Sequence, residues 1–199
     1  MKIYAEFPST AQEPGRIVWP DSCWLLSDRP LFVPDFAPIF MAQPMYAAKI
    51  GRLGKCVAPR FAARYVTRLT AALVILPADA LRRISSGIPL PPEDYCFDNA
   101  VVIGDWQEGD ALPDLGIDML YPAGAELTDV MTLAPGIPRH YPALTEAIVT
   151  LSQRNTLKMG DVILIPMPVE PIPLTEEARI NIAPASPEAP LPFLITRFK

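Results

Sequence analysis

Between positions 49 and 68 the chain carries six basic residues, Lys49, Arg52, Lys55, Arg60, Arg64 and Arg68, and no acidic one. A run of this kind is either a solvated face or a surface that meets an anion. The three cysteines, Cys23, Cys56 and Cys96, are odd in number, widely spaced and free of any C-x-x-C pair. That pattern argues against a zinc cage and against a disulfide framework. The single histidine, His140, lies in a stretch rich in proline and glycine. Its ordinary reading is a surface side chain and its sharper one a general base.

The elements that must position these groups are short. The chain has 199 residues, half of them hydrophobic and a fifth charged, which suits one globular domain. It also has 25 prolines. Proline removes a backbone donor and blocks helix interiors, so a helical bundle or coiled coil is excluded and short strands joined by irregular loops are expected. Residues 2–6 and 15–26 read as strands broken by proline and aspartate, and 28–44 as an irregular proline-punctuated stretch. Over 45–54 the spacing of Tyr46, Ile50 and Leu53 predicts a helix stopped by Gly54. Strands are expected at 73–76, 100–103, 115–121, 162–165, 178–182 and 194–198, with an acidic loop over 105–114. Residues 142–153 predict an amphipathic helix with Pro142 in its first turn and Leu144, Ala147, Ile148 and Leu151 on one face. The proline-rich stretches 166–173 and 184–192 are too short and too apolar to be linkers. The sum is an α+β, mainly β domain spanning 1–199, with a short β-rich N-terminal segment over 1–43 and a core over 44–199.

The first hundred residues hold 11 basic and 9 acidic groups and the rest 6 and 13, so neither half has the basic excess of a nucleic-acid binder. No signal peptide or membrane-spanning stretch is visible, and a cytoplasmic protein is expected.

Three segments in order resemble the fumarylacetoacetate hydrolase family. Met45-Tyr46-Ala47-Ala48-Lys49-Ile50-Gly51-Arg52-Leu53-Gly54 is similar to that family's N-Y-A-x-H-x-x-E-L-G. Asp94-Tyr95-Cys96-Phe97-Asp98-Asn99, followed by Ala100-Val101-Val102-Ile103-Gly104, is similar to D-Y-E-x-E-L-A-V-V-I-G. Thr156-Leu157-Lys158-Met159-Gly160-Asp161-Val162-Ile163-Leu164, with Pro168, is similar to T-L-x-P-G-D-V-I-L-T-G-T-P. Gly116-Ile117-Asp118 is a further, weaker match. The resemblance implies a mixed β-sandwich roll, commonly a homodimer, with a Mg²⁺ or Mn²⁺ ion held by three carboxylates and a His-x-x-Glu pair for proton transfer.

Most of these functional positions are altered, and of the three carboxylate positions only Asp118 is kept. The metal-ligand positions fall on Cys96, Asp98 and Asp118. A thiol suits a hard cation badly, and the ordinary reading of Cys96 is a small core hydrophobe. Cys96 and Asp98 are expected on one face of one strand by the period of two, with Asp118 near them. The acid–base positions fall on Lys49 and Arg52, and arginine cannot act as a base. The T-G-T-P turn becomes Ile165-Pro166-Met167-Pro168, and the segment between Asp118 and Pro142 is short. Two readings follow. In the first, the chain is a pseudoenzyme that keeps the hydrolase fold, needs no cofactor and acts as a binding or assembly protein, with a small acidic ligand as one candidate. In the second, it is an altered hydrolase, decarboxylase or isomerase for a small 2-oxo acid or β-diketone, using Asp98, Asp118 and Cys96 or Lys49, with Mg²⁺ or Mn²⁺ if the ancestral site survives.

Overall fold

The computed structural model describes residues 1–11, 13–186 and 192–199. In chain order the strands and helices are β1 (Lys2–Phe7), β2 (Gly15–Pro20), β3 (Trp24–Leu26), β4 (Pro30–Leu31), β5 (Phe40–Ile50), β6 (Val66–Pro77), α1 (Ala78–Ser85), β7 (Val101–Ile103), β8 (Leu115–Leu120), β9 (Val130–Ala134), α2 (Pro142–Arg154), β10 (Val162–Pro166), β11 (Ile172–Pro173), β12 (Arg179–Pro184) and β13 (Leu194–Phe198). Most of the 184–192 proline stretch lies outside the described residues.

Two sheets organise these elements. The first runs β2-β1-β10-β5-β6-β7-β3, with β11 added to the outer part of β5, and the second runs β4-β13-β12-β8-β9. In the first sheet β1 and β10 are parallel, whereas β5 is antiparallel to both β10 and β6.

The first sheet is covered on both faces. One face, with Tyr46, Ala48, Leu73, Ile75, Val102 and Ile163, packs against the inner face of the second sheet (Ile117, Met119, Ile180, Ile182) and against Leu144, Ala147, Ile148 and Leu151 of α2. The other face, with Met45, Ala47, Ala72, Val74, Val101 and Leu164, is capped by Leu81 and Ile84 of α1 and by Trp19. A strand buried on both faces shows no apolar–polar alternation.

That double burial corrects the helix expected over 45–54. Residues 45–50 form the end of β5, in register with β10 and β6 (Tyr46 opposite Ile165 and Ala71), and Leu53 lies beyond the strand and outside the core, 72% exposed. The run of alanines was compatible with either structure, and two ladders plus two apolar layers decide for the strand. β5 runs across residue 43, and β1 lies inside the first sheet. Helix α2 forms as expected, with Pro142 in its first turn and its four apolar residues buried. Helix α1 had not been anticipated. It closes with the Gly87 and Ile88 amides on the Ile84 and Arg83 carbonyls, Gly87 taking a φ of 75°. No helix among the described residues is long and apolar enough to cross a membrane.

The turn before β10 has a structural duty. Gly160 adopts a φ of 93°, and its amide donates to the Ile50 carbonyl while the Ile50 amide donates to the Asp161 carbonyl, both at 2.8 Å. The Asp161 side chain is 1% exposed. Its two oxygens accept from the Lys2 and Lys158 backbone amides, each at 2.9 Å. One carboxylate thus joins the start of β1 to the turn that launches β10. Removing it strands two backbone donors, and Asp161→Ala is expected to lower stability by about 2–3 kcal/mol in urea unfolding.

Candidate functional site

The parallel strands β1 and β10 end on the same side of the first sheet. Phe7 runs into Pro8, Ser9 and Thr10, and Pro166 runs into the segment that ends in β11. Gln43 of β5 reaches the same end, because β5 is antiparallel to β10. Together with the inner face of the second sheet these segments enclose an open cleft of about 1060 Å³. Ile117, Val130 and Thr132 form the facing wall, and Leu81 and Ser85 of α1 close a side.

Proline shapes the wall. Four of the eight residues from 166 to 173 are prolines, which fix φ and leave few amides to satisfy. The stretch is fastened to β5 at both ends: the Met167 amide donates to the Pro44 carbonyl at 3.0 Å, and Ile172 and Pro173 pair with Ala42 and Met41. Gln43 is 7% exposed, and its Nε2 donates to the carbonyls of Pro44 (3.1 Å) and Val169 (3.4 Å). The Tyr121 hydroxyl donates to the Pro173 carbonyl at 3.1 Å, and burial raises its pKa.

The lining is apolar, with hydroxyls from Ser9, Thr10, Ser85, Thr128 and Thr132 and the amide of Gln43. Among the described residues its only carboxylate is Glu170, on an exposed stretch, and it holds no lysine, arginine, histidine or cysteine. Such a surface can hydrogen-bond and desolvate a ligand. It has no buried acid–base pair.

The residues singled out from sequence lie elsewhere. Lys49 sits six positions beyond Gln43 along β5, opposite Val162 and Arg68. Its ammonium lies 5.5 Å from the centroid of the Trp106 ring, a cation–π contact. Arg52 is exposed past the end of the strand, so the two are not neighbours on a helix. The rest of the basic run is largely occupied with its surroundings. Arg68 pairs with Glu108 of the acidic loop at 3.0 Å, and Arg60 and Arg64 both lie over the Phe61 ring, at 4.8 and 4.9 Å. His140 is exposed.

Cys96 and Asp98 are also placed differently from expectation. β7 begins only at Val101, and the residues before it form a 3-10 turn (Pro92–Asp94) and a loop in which Asn99 has a φ of 64°. No strand period aligns the two side chains. Both are exposed, so Cys96 is not the core hydrophobe considered above. The buried cysteine is Cys23, and its sulfur lies 3.6 Å from that of Cys96. Burial, reinforced by the Cys96 sulfur, pushes the Cys23 thiol up to about 11. Asp118 belongs to β8 of the second sheet. Its neighbours in sequence, Ile117 and Met119, point into the core, so by the period of two it faces outward, between Met131 and Asn181.

These positions do not fit a divalent cation. Among the described residues no group of three histidine, cysteine, aspartate or glutamate side chains is placed to hold one. Cys96 faces another sulfur, and Asp118 is turned away from the space between the sheets. What the sequence reading missed was Gln43, a polar residue inside an otherwise apolar stretch, and Ser9-Thr10 directly after the first strand. Both were visible as polar interruptions, Gln43 inside β5 and Ser9-Thr10 after β1.

The fold can be compared with solved structures. A 5-carboxymethyl-2-hydroxymuconate delta-isomerase from Mycobacterium smegmatis superposes with a TM-score of 0.73 at 18% identity, covering 99% of this chain and 78% of the other. A fumarylpyruvate hydrolase from Pseudomonas aeruginosa, solved with Mn²⁺ and pyruvate, gives 0.73 at 17% identity over 100% of this chain and 89% of that one. A protein from Yersinia pestis described as of the fumarylacetoacetate hydrolase family gives 0.73 at 16% over 100% and 92%. The fold is the fumarylacetoacetate-hydrolase-like roll. At these identities the likeness speaks to architecture alone. No protein-family model matches the sequence, and no curated protein sequence matches it.

Mg²⁺ or Mn²⁺ at millimolar concentration is expected to leave the melting temperature within about 1 °C of its metal-free value, since a site far from saturation contributes no linkage stabilisation. Differential scanning calorimetry with and without chelator measures this directly.

Proposed function

We propose that the chain is a binding protein built on a hydrolase-type roll, and that its ligand is a small, neutral, largely apolar molecule carried in the cleft between the sheets. The observation that carries this reading is the cleft's lining, which combines apolar walls, hydroxyls and the Gln43 amide with one exposed carboxylate and no cation. A ligand site is ordinarily the large apolar concavity with a few convergent polar groups. An acidic ligand, natural to the ancestry, would meet no positive partner here and would lose its hydration without compensation. Proton transfer is equally unsupported, because the positions that resemble the family's acid–base pair, Lys49 and Arg52, stand at the other end of β5.

Binding of a neutral naphthylamine fluorophore tests the reading. It is expected to be saturable, and Thr132→Trp, which puts an indole into the cleft, is expected to weaken it roughly tenfold or more, a loss of about 1.4 kcal/mol. An anionic naphthalene sulfonate is expected to bind more weakly than the neutral probe. Tighter binding of the anion, or insensitivity to Thr132→Trp, defeats the proposal. So does cation-dependent turnover of an acylpyruvate or of oxaloacetate above the metal-only background.

We also propose that the chain works as one domain paired with a second copy. The support is the outer face of the second sheet. Strand β9 is its edge, and Met131 and Leu133, which lie opposite Asp118 and Gly116, are 77% and 66% exposed. Leu120 and Ile195 add further exposed apolar surface on the same sheet. An exposed edge bearing large apolar side chains invites pairing. Light scattering at micromolar concentration is expected to give a dimer, and the double substitution Met131→Lys, Leu133→Lys a folded monomer. A monomeric parent protein, or a dimer indifferent to the double substitution, removes the pairing.

A further inference from the structure

Outside the cleft, Cys23 and Cys96 bring their sulfurs to 3.6 Å of each other. They are 73 positions apart in sequence and meet because β3 and β7 lie side by side. Cys23 ends the 3-10 turn Asp21–Cys23 directly before β3, and Cys96 lies in the loop that leads to β7. Those two strands pair in parallel, Trp24 opposite Val101, so their approaches enter from the same side.

The loop around Cys96 is fastened on both flanks. The Trp19 indole N–H donates to the Tyr95 carbonyl at 2.8 Å, and the two rings meet edge to face, 5.9 Å between centroids. On the other flank the Phe97 ring packs against Phe36 and Phe40, with centroids 5.3 and 6.0 Å away. The sulfurs are therefore held near each other by aromatic packing rather than by a chance encounter. One is buried, the other open to solvent. The remaining cysteine, Cys56, belongs to a different region, where its amide donates to the Ser152 carbonyl near the end of α2.

We propose that Cys23 and Cys96 form an oxidation site, at which a peroxide enters through Cys96 and Cys23 resolves the product as an intramolecular disulfide. In the first step the Cys96 sulfur attacks the peroxide O–O bond. The sulfur gains a hydroxyl, becoming a sulfenic acid, and the second oxygen leaves as water carrying the thiol proton when the oxidant is hydrogen peroxide. In the second step the Cys23 sulfur attacks the Cys96 sulfur. The S–S bond forms, the S–OH bond breaks, and the hydroxyl leaves with the Cys23 proton as a second water. One peroxide is reduced by two electrons for each disulfide made. The sulfurs must close by about 1.5 Å to reach the bond length of about 2.05 Å, a movement available to an exposed side chain on a loop. A thiol reductant reverses the bond by exchange.

The product would alter the edge of the first sheet. β3 is its terminal strand and is held through three residue pairs to β7. A covalent bond between the two approaches prevents that strand from peeling away.

The test uses the whole protein, reduced, freed of reductant and treated with a few equivalents of hydrogen peroxide. Free thiols counted in denaturant are expected to fall from the three of the reduced chain to the one of Cys56. Intact mass is expected to fall by two hydrogens, and digestion without reductant to yield a peptide joining Cys23 to Cys96. The melting temperature is expected to rise by about 5 °C or more and to return with dithiothreitol. Cys56→Ser must keep the cross-link, and Cys96→Ser, at an exposed position, must abolish both the mass loss and the temperature shift. The proposal is overturned by three thiols persisting after treatment. It is overturned equally by a bond that involves Cys56, or by Cys96 advancing to sulfinic acid while Cys23 remains a free thiol.

Discussion

Burial of the first sheet on both faces is the constraint from which the remaining architecture follows. β5 and β6 run through the middle of that sheet, and each of their central side chains enters one of two apolar layers. One layer requires a second sheet to cover it, and the other requires α1. Deleting a single buried methylene group in such a setting costs about 1 kcal/mol or more, so the strand sequence is held to small and branched apolar residues. The cleft exists because the covering is incomplete. Where β1 and β10 end, the gap beside the second sheet is walled by the proline-rich segment.

Proline explains how that gap stays open. A segment of ordinary residues would offer free amides along one side and would be drawn into further pairing with β5 or into collapse on the apolar walls. The prolines at 166, 168, 171 and 173 have no such donors, and the Met167 and Ile172 amides are taken up by pairing with β5. The wall is consequently stiff without being part of a long strand. The prolines of the turn after β10 thus give the cleft a rigid concave wall.

The framework was largely legible in the sequence. Alternation, turn residues and the phase of Leu144, Ala147, Ile148 and Leu151 located most strands and α2, because these elements meet their surroundings on a single face or are bounded by glycine and proline. The segment at 45–54 was misread because double burial erases the period that distinguishes strand from helix. Strand β9 was missed because it lies at an edge, where Val130, Met131 and Leu133 carry no inward–outward rhythm. The site was less legible than the frame. Motif likeness drew attention to Lys49, Arg52, Cys96, Asp98 and Asp118, yet the cleft is built by Gln43, Ser9, Thr10 and the 166–173 wall, whose convergence depends on β1 running parallel to a strand some 160 positions later. Nor could spacing along the chain disclose that Cys23 and Cys96 meet, since that contact depends on the pairing of two three-residue strands.

The clamp at Asp161 carries a consequence for how the chain acquires its shape. Its carboxylate holds the amide of Lys2 across 159 positions of sequence. During synthesis β1 can close its hairpin with β2 early, but its other edge has no partner until β10 has left the ribosome. Ile3, Ala5 and Phe7 must wait through most of translation with their ladder half complete. Long-range pairing of this kind raises contact order and slows folding, and an unpaired apolar edge is vulnerable to association while it waits. The turn bearing Gly160 and Asp161 is therefore the late-arriving latch of the assembly, and the interval before it engages is the period in which a nascent chain has most need of a chaperone.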